Sequence, residues 1–128
     1  MNIEEIRNYC LSLLGVTEDI KWEDHLCFNI GSKMFLVTNP NKFPVSASFK
    51  TTDKLFNELT MKDGVIPAPY MARHKWVYVD NIDRLVKSEW KEFIKIAYEL
   101  VLTKLPVKIK MQIVRQKNVS KPPYRCKR

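Results

Sequence analysis

Three runs of strand-forming residues joined by short connections limit this chain's fold more than any other feature. Residues 25–30 alternate, with Leu26, Phe28 and Ile30 on one face and His25, Cys27 and Asn29 on the other. Gly31-Ser32 is a two-residue connection, and a leading glycine predicts a type II′ hairpin turn. Residues 33–38 return with Met34, Phe35, Leu36 and Val37 nearly continuous, as in a strand covered on much of both faces. A loop with Asn39, Pro40, Asn41 and Pro44 leads to residues 45–50, where Val45, Ala47 and Phe49 share one face. Ser46, Ser48 and Lys50 share the other. Connections this short permit only antiparallel pairing.

Helical periodicity brackets this meander. Asn2 is placed to cap a first helix, with Glu5 completing a capping-box pattern. Ile3, Ile6, Cys10, Leu13 and Leu14 form its apolar stripe, and Gly15 is placed to end it in the left-handed conformation. Thr51 or Thr52 caps a short second helix reaching about Thr60. Gly64, Pro67 and Pro69 then punctuate a loop before a strand at residues 75–79, paired with a brief one near Val65. Ser88 is a candidate cap for a last helix whose stripe is Trp90, Phe93, Ile94, Ala97, Leu100 and Val101, and Pro106 stops it. Helices with one apolar stripe each bury it most readily on one face of the sheet. The expected class is therefore α+β, a two-layer sandwich of antiparallel sheet and helices in the order α-β(3)-α-β(2)-α. The opposite sheet face is left to solvent or to a partner.

Charge divides the chain. All 14 acidic residues lie at or before Glu99, so residues 1–103, with 13 Lys and Arg, sum to 13 − 14 = −1. Residues 104–128 carry nine cations and no acid. The expected organisation is one domain over residues 1–106 and a basic C-terminal extension over 107–128. In the extension Val107, Ile109, Met111 and Ile113 alternate with Lys108, Lys110 and Gln112, the pattern of an added edge strand. Residues 117–128 read as a flexible basic arm suited to an anionic partner or to solubility alone. No membrane-length apolar run and no signal-peptide pattern is visible, which predicts a cytoplasmic protein. Cys10, Cys27 and Cys126 form no disulfide framework or zinc spacing; the first two suit buried thiols and the third a tail thiol.

Two groups of residues are candidates for binding. Arg73, His74 and Lys75 form a basic run that the sheet can bring beside Lys50, making an edge for phosphate. Trp76 and Tyr78 share one face of their strand and Val77 and Val79 the other. If the valines face the helices, the aromatics lie on the open face, where rings among cations suit the stacking of unpaired bases. If Trp76 faces the helices, it anchors the core. The sequence does not choose, because a one-residue slip of register reverses the face. Lys108, Lys110, Arg115, Lys117, Lys121 and Arg125 of the extension are further candidates for phosphate contact. Glu18, Asp19, Glu23 and Asp24 read as a solvated acidic loop. No nucleophile–base pair, nucleotide-binding glycine motif or metal-ligand spacing is visible, so no catalysis, cofactor or metal is expected.

Several of these stretches resemble the MmcQ/YjbR family. They are Tyr9-Cys10-Leu11 running to Leu14-Gly15-Val16-Thr17-Glu18; His25-Leu26-Cys27-Phe28 leading to Gly31-Ser32-Lys33-Met34-Phe35; Ser48-Phe49-Lys50; and Pro67-Ala68-Pro69-Tyr70-Met71. Most telling is His74-Lys75-Trp76-Val77-Tyr78-Val79, followed by Ala97-Tyr98-Glu99-Leu100-Val101 and Lys104-Leu105-Pro106. The likeness spans roughly residues 3 to 106. It implies the same α-β(3)-α-β(2)-α two-layer fold, similar to a double-wing DNA-binding module and to secretion chaperones. The functional expectation is accordingly a non-enzymatic DNA- or nucleic-acid-binding protein. The alternative is a protein-interaction or chaperone-like module binding along the sheet or as a homodimer.

Overall fold

Six antiparallel strands build one sheet in the order β1-β2-β3-β4-β6-β5. They are β1 (Val16–Lys21), β2 (His25–Ile30), β3 (Lys33–Asn39), β4 (Ser46–Lys50), β5 (Val65–Pro67) and β6 (Trp76–Val79). The helices are α1 (Ile3–Ser12), α2 (Asp53–Leu59), α3 (Lys87–Thr103) and α4 (Val107–Val119). The structure is a computed structural model that describes residues 1–69 and 71–119, with side chains of α4 described through residue 115. The α+β class and the one-sided layering follow the expected pattern.

Register decides which residues reach the helices. Phe28 pairs with Leu36, Leu36 with Phe49, and Phe49 with Val77, so these four share a face. All four are fully buried in the core with Trp90, Ile94 and Ala97 of α3. Phe49 meets Trp90 edge-on at 5.5 Å and stacks on Phe93 at 6.1 Å between centroids. Tyr98 of α3 joins the layers at the other end, donating from its hydroxyl to the Leu14 carbonyl at 2.6 Å. Among the described residues no helix packs on the opposite sheet face.

Several local expectations change. Of the acidic segment expected as a loop, Glu23 and Asp24 stand in the turn before β2, while Glu18 and Asp19 lie in β1, an edge strand paired with β2 from Val16↔Ile30 to Lys21↔His25. Glu18 lies on its helix-facing side and accepts two hydrogen bonds from Arg7 of α1, at 2.8 and 2.6 Å. The hairpin at Gly31-Ser32 has positive φ at both residues, +57° and +69°, which is the type I′ arrangement rather than II′. Gly15 does not close α1. The helix ends at Ser12 with Leu13 as its cap, and Gly15 (φ +80°) instead turns the chain into β1. Asn2 does form the capping box with Glu5. Ser88 lies inside α3, whose cap is Val86; the Glu89 carboxylate accepts from the Val86 N–H at 3.0 Å. The Trp90 indole N–H donates to the Ile82 carbonyl at 2.8 Å and fixes this earlier start.

The largest correction concerns the extension. Residues 107–113 are not a strand but the first half of α4. Pro106 both follows α3 and opens α4, accepting from the N–H groups of Ile109 and Lys110 at 3.0 and 3.1 Å. Four-residue spacing places Leu105, Ile109 and Ile113 together, and Leu105 and Ile113 are buried in the core. A methyl group at Gly15 would stand 2.9 Å from Ile113, and one at Gly31 would stand 2.7 Å from Leu105. The helix can lie across these strand ends because both glycines lack a side chain. Val107, Met111 and Val114 take the outward side and are exposed.

Candidate nucleic-acid interface

The loop after β5 is wound tightly enough to deliver its cations to the end of β4. Met71 N–H donates to Ala68 carbonyl and His74 N–H to Met71 carbonyl, both at 3.1 Å. A short 3-10 turn, Ala72–His74, follows, and Lys75 adopts the left-handed conformation (φ 63°, ψ 41°) that redirects the chain into β6. Lys50 and Trp76 are then direct partners in the β4–β6 ladder. The Lys50 ammonium donates to the His74 carbonyl at 2.8 Å. Thr51 ties the same corner, donating to the Lys75 carbonyl at 2.8 Å from its backbone and 3.1 Å from its hydroxyl.

Two adjoining concavities share Lys50, His74, Leu100 and Lys104 as a common wall. The polar one, about 420 Å³, adds Arg73, Lys75, Thr51, Thr52 and Asp53. The apolar one, about 530 Å³, adds Met34, Met71, Trp76, Val101 and Leu105, with Ser32, Lys33 and Pro106. Five cationic side chains therefore converge here, and Asp53 is the single carboxylate lining either concavity. Burial pulls the Lys50 ammonium below its ordinary pKa, and the positive charge of Lys104 adds to the effect against a smaller opposing pull from Asp53. Lys75 is steadied by the Phe56 ring, its ammonium 5.0 Å from the centroid.

Of the expected residues, Lys50, Arg73, His74, Lys75 and Trp76 come together. Trp76 departs from both alternatives. Val77 and Val79 lie in the core, so Trp76 and Tyr78 do face away from it, yet Trp76 is only 4% exposed. It is a wall of the apolar concavity rather than an open stacking platform. Tyr78 is half-buried opposite Ser48 and Ile66 and lines neither concavity. Lys110 donates to the Thr103 carbonyl at 2.8 Å and, with Arg115, borders a separate shallow groove on α4. Lys108 is exposed on α4. Lys117 falls in α4 beyond the described side chains, and Lys121, Arg125 and Cys126 lie outside the described residues. Lys33 and Lys104 are cations the sequence reading did not assign to the site. The one available hint was Lys104's position just before Leu105-Pro106, where α3 had to end.

Among the described residues no group of three or more His, Cys, Asp or Glu side chains is arranged to hold a metal ion. His25, at the start of β2, lies 2.8 Å from Asp24 and edge-on to Trp22, whereas His74 stands in the 3-10 turn before β6. Burial pushes the Cys10 thiol up to about 12, and Cys27 is raised by the same cause. No described helix is long and apolar enough to cross a membrane.

The YjbR family model matches residues 11–100. A crystal structure of a Deinococcus radiodurans protein with a DUF419 domain aligns with a TM-score of 0.78 at 20% identity, covering 88% of this chain and 87% of that one. A Pseudomonas syringae protein of known structure aligns with a TM-score of 0.64 at 22% identity, covering 78% of this chain and 98% of that one. No curated protein matches the chain. At these identities the two structures bear on the fold alone.

Proposed function

The chain belongs to the YjbR family, and from that premise we propose that it is a non-enzymatic nucleic-acid-binding protein that holds phosphates at the β4–β6 edge. The observation that carries this reading is the convergence of Lys50, Arg73, Lys75 and Lys104 around a concavity with one carboxylate. Lys50 supports it further, because burial first and the nearby positive charge of Lys104 second lower its affinity for a proton. An anion entering the site offsets the repulsion between Lys50 and Lys104. The cations stand on a strand end, a tight turn and a helix terminus, so little backbone freedom remains to be lost on binding. Exposed Lys108 and Arg115 on α4 add weaker, non-specific attraction.

Fluorescence anisotropy with a labelled single-stranded oligonucleotide tests the reading. Lys50→Met combined with Lys104→Met is expected to weaken binding at least tenfold at low salt. Lys108→Gln combined with Arg115→Gln is expected to weaken it less. Wild-type protein that shows no salt-dependent binding, or equal losses in the two variants, contradicts the proposal.

A protein-interaction role has one observation of its own. β1 is an edge strand, and Ile20 and the adjoining Trp22 are 58% and 63% exposed. Extended partners add to such edges through backbone hydrogen bonds. Light scattering that gives a monomer, with no change at Trp22 in the presence of candidate peptides, counts against this role.

A further inference from the structure

We propose that the apolar concavity beside the phosphate site takes one unpaired base, so that the protein selects single-stranded over duplex nucleic acid. This inference rests on the nucleic-acid reading above and adds what occupies the second compartment. Its volume of about 530 Å³ lies within the range of roughly 300–1,000 Å³ typical of small-ligand sites. Met34, Met71, Trp76 and Leu105 supply its apolar lining, and no carboxylate is among its lining residues. Methionine thioethers are polarisable and adapt to flat aromatic groups of differing outline, which suits a base of any identity. Lys33 and Lys104 are exposed, and Lys50 is half-buried, so the cations stand where the cavity meets solvent.

Continuity favours a polymer over a free anionic amphiphile. Lys50, His74 and Lys104 belong to both compartments, and beyond them Arg73 and Lys75 extend the cationic surface. A single carboxylate or phosphate group would leave those outer cations without a partner. A strand with one base in the apolar compartment places its neighbouring phosphates along them. A paired base cannot enter without being pulled from its stack, which disfavours duplex.

The decisive comparison uses the full chain and two labelled oligonucleotides of equal length and charge, a thymidine oligomer and its fully abasic counterpart. The thymidine oligomer is expected to bind at least about fivefold more tightly, and blunt duplex of the same length more weakly than the thymidine oligomer. Equal, salt-dependent binding of the two oligomers overturns the base pocket while leaving the phosphate reading intact. Binding of neither overturns both. Leu100→Trp and Met71→Trp, two independent ways of filling the cavity, are each expected to abolish the preference for bases over abasic sites. A preference that persists in a folded variant of either kind overturns the assignment to this cavity.

Discussion

Replacing Ile113 and Met111 by alanine, one at a time, distinguishes the helix at the C-terminal end from the strand that its alternating pattern suggests. In a strand, residues 107, 109, 111 and 113 share one face, and the two truncations would cost similar amounts. In α4 they point apart: Ile113 is 7% exposed and belongs to the core, whereas Met111 is 53% exposed. Ile113 also approaches Gly15 and Ile30, where the space left by the missing glycine side chain would open into a cavity. Truncating a buried isoleucine to alanine costs about 2–5 kcal/mol. Because α4 lies at the end of the sheet and can relax, the low end is expected, about 2 kcal/mol. Met111→Ala is expected to stay within about 0.5 kcal/mol, as exposed positions do. Urea unfolding followed by tryptophan fluorescence measures both, and an unchanged slope against denaturant shows that the same surface unfolds in each variant. Equal costs would refute the helical packing. A small cost at Ile113 with early loss of amide protection confined to α4 would refute its membership of the cooperative core.

Further outcomes follow from the same geometry. Because Lys50's pKa in the folded protein lies below the ordinary 10.5, the unfolded chain binds more protons between those two values, and this group's contribution to stability rises with pH across that window. Lys50→Met removes this desolvated charge together with its bond to the His74 carbonyl, opposing effects that should leave stability at neutral pH within about 1 kcal/mol while anion binding is lost; a larger loss in urea melts at pH 7 contradicts the account. Cys10, with its thiol raised to about 12 by burial, should resist alkylation at pH 8 in the native protein and react once unfolded, as peptide mapping after a timed pulse would show. Gly31→Ala should be destabilising by 1 kcal/mol or about that much and more, since it meets both a positive φ and the Leu105 side chain; an unchanged thermal midpoint would contradict the close approach of α4.

Much of the fold was legible because β2, β3 and β4 each carry an uninterrupted apolar face, and α3 carries a long apolar stripe. β1 was not legible, because an edge strand buries little. Val16, Glu18 and Ile20 occupy its helix-facing side, but one of them is an ion-paired glutamate and Ile20 remains 58% exposed. In α4 apolar residues occupy both the packed and the solvent sides, so helical and alternating periods fit the same letters. Of the site, the run Arg73-His74-Lys75 was visible as a string of basic residues, and the pairing of Lys50 with Trp76 followed once β4 and β6 became neighbours. Lys104 came into view only in three dimensions, since the turn from α3 into α4 brings it to Lys50 across 54 residues of sequence. Trp76 was reducible to a choice of face, but burial on the face away from the core depends on its surroundings at the sheet end, which local pattern does not encode.

The most direct measurement of the central claim is the salt dependence of single-strand binding with and without the charges at the β4–β6 edge. Each phosphate neutralised on a single strand contributes about −0.7 to the slope of log affinity against log salt. Neutralising Lys50, Arg73, Lys75 and Lys104 together is predicted to make that slope shallower by about 2 to 3, with circular dichroism showing an intact fold. A folded variant whose slope and affinity match the wild type would contradict the claim that phosphates are held at this edge.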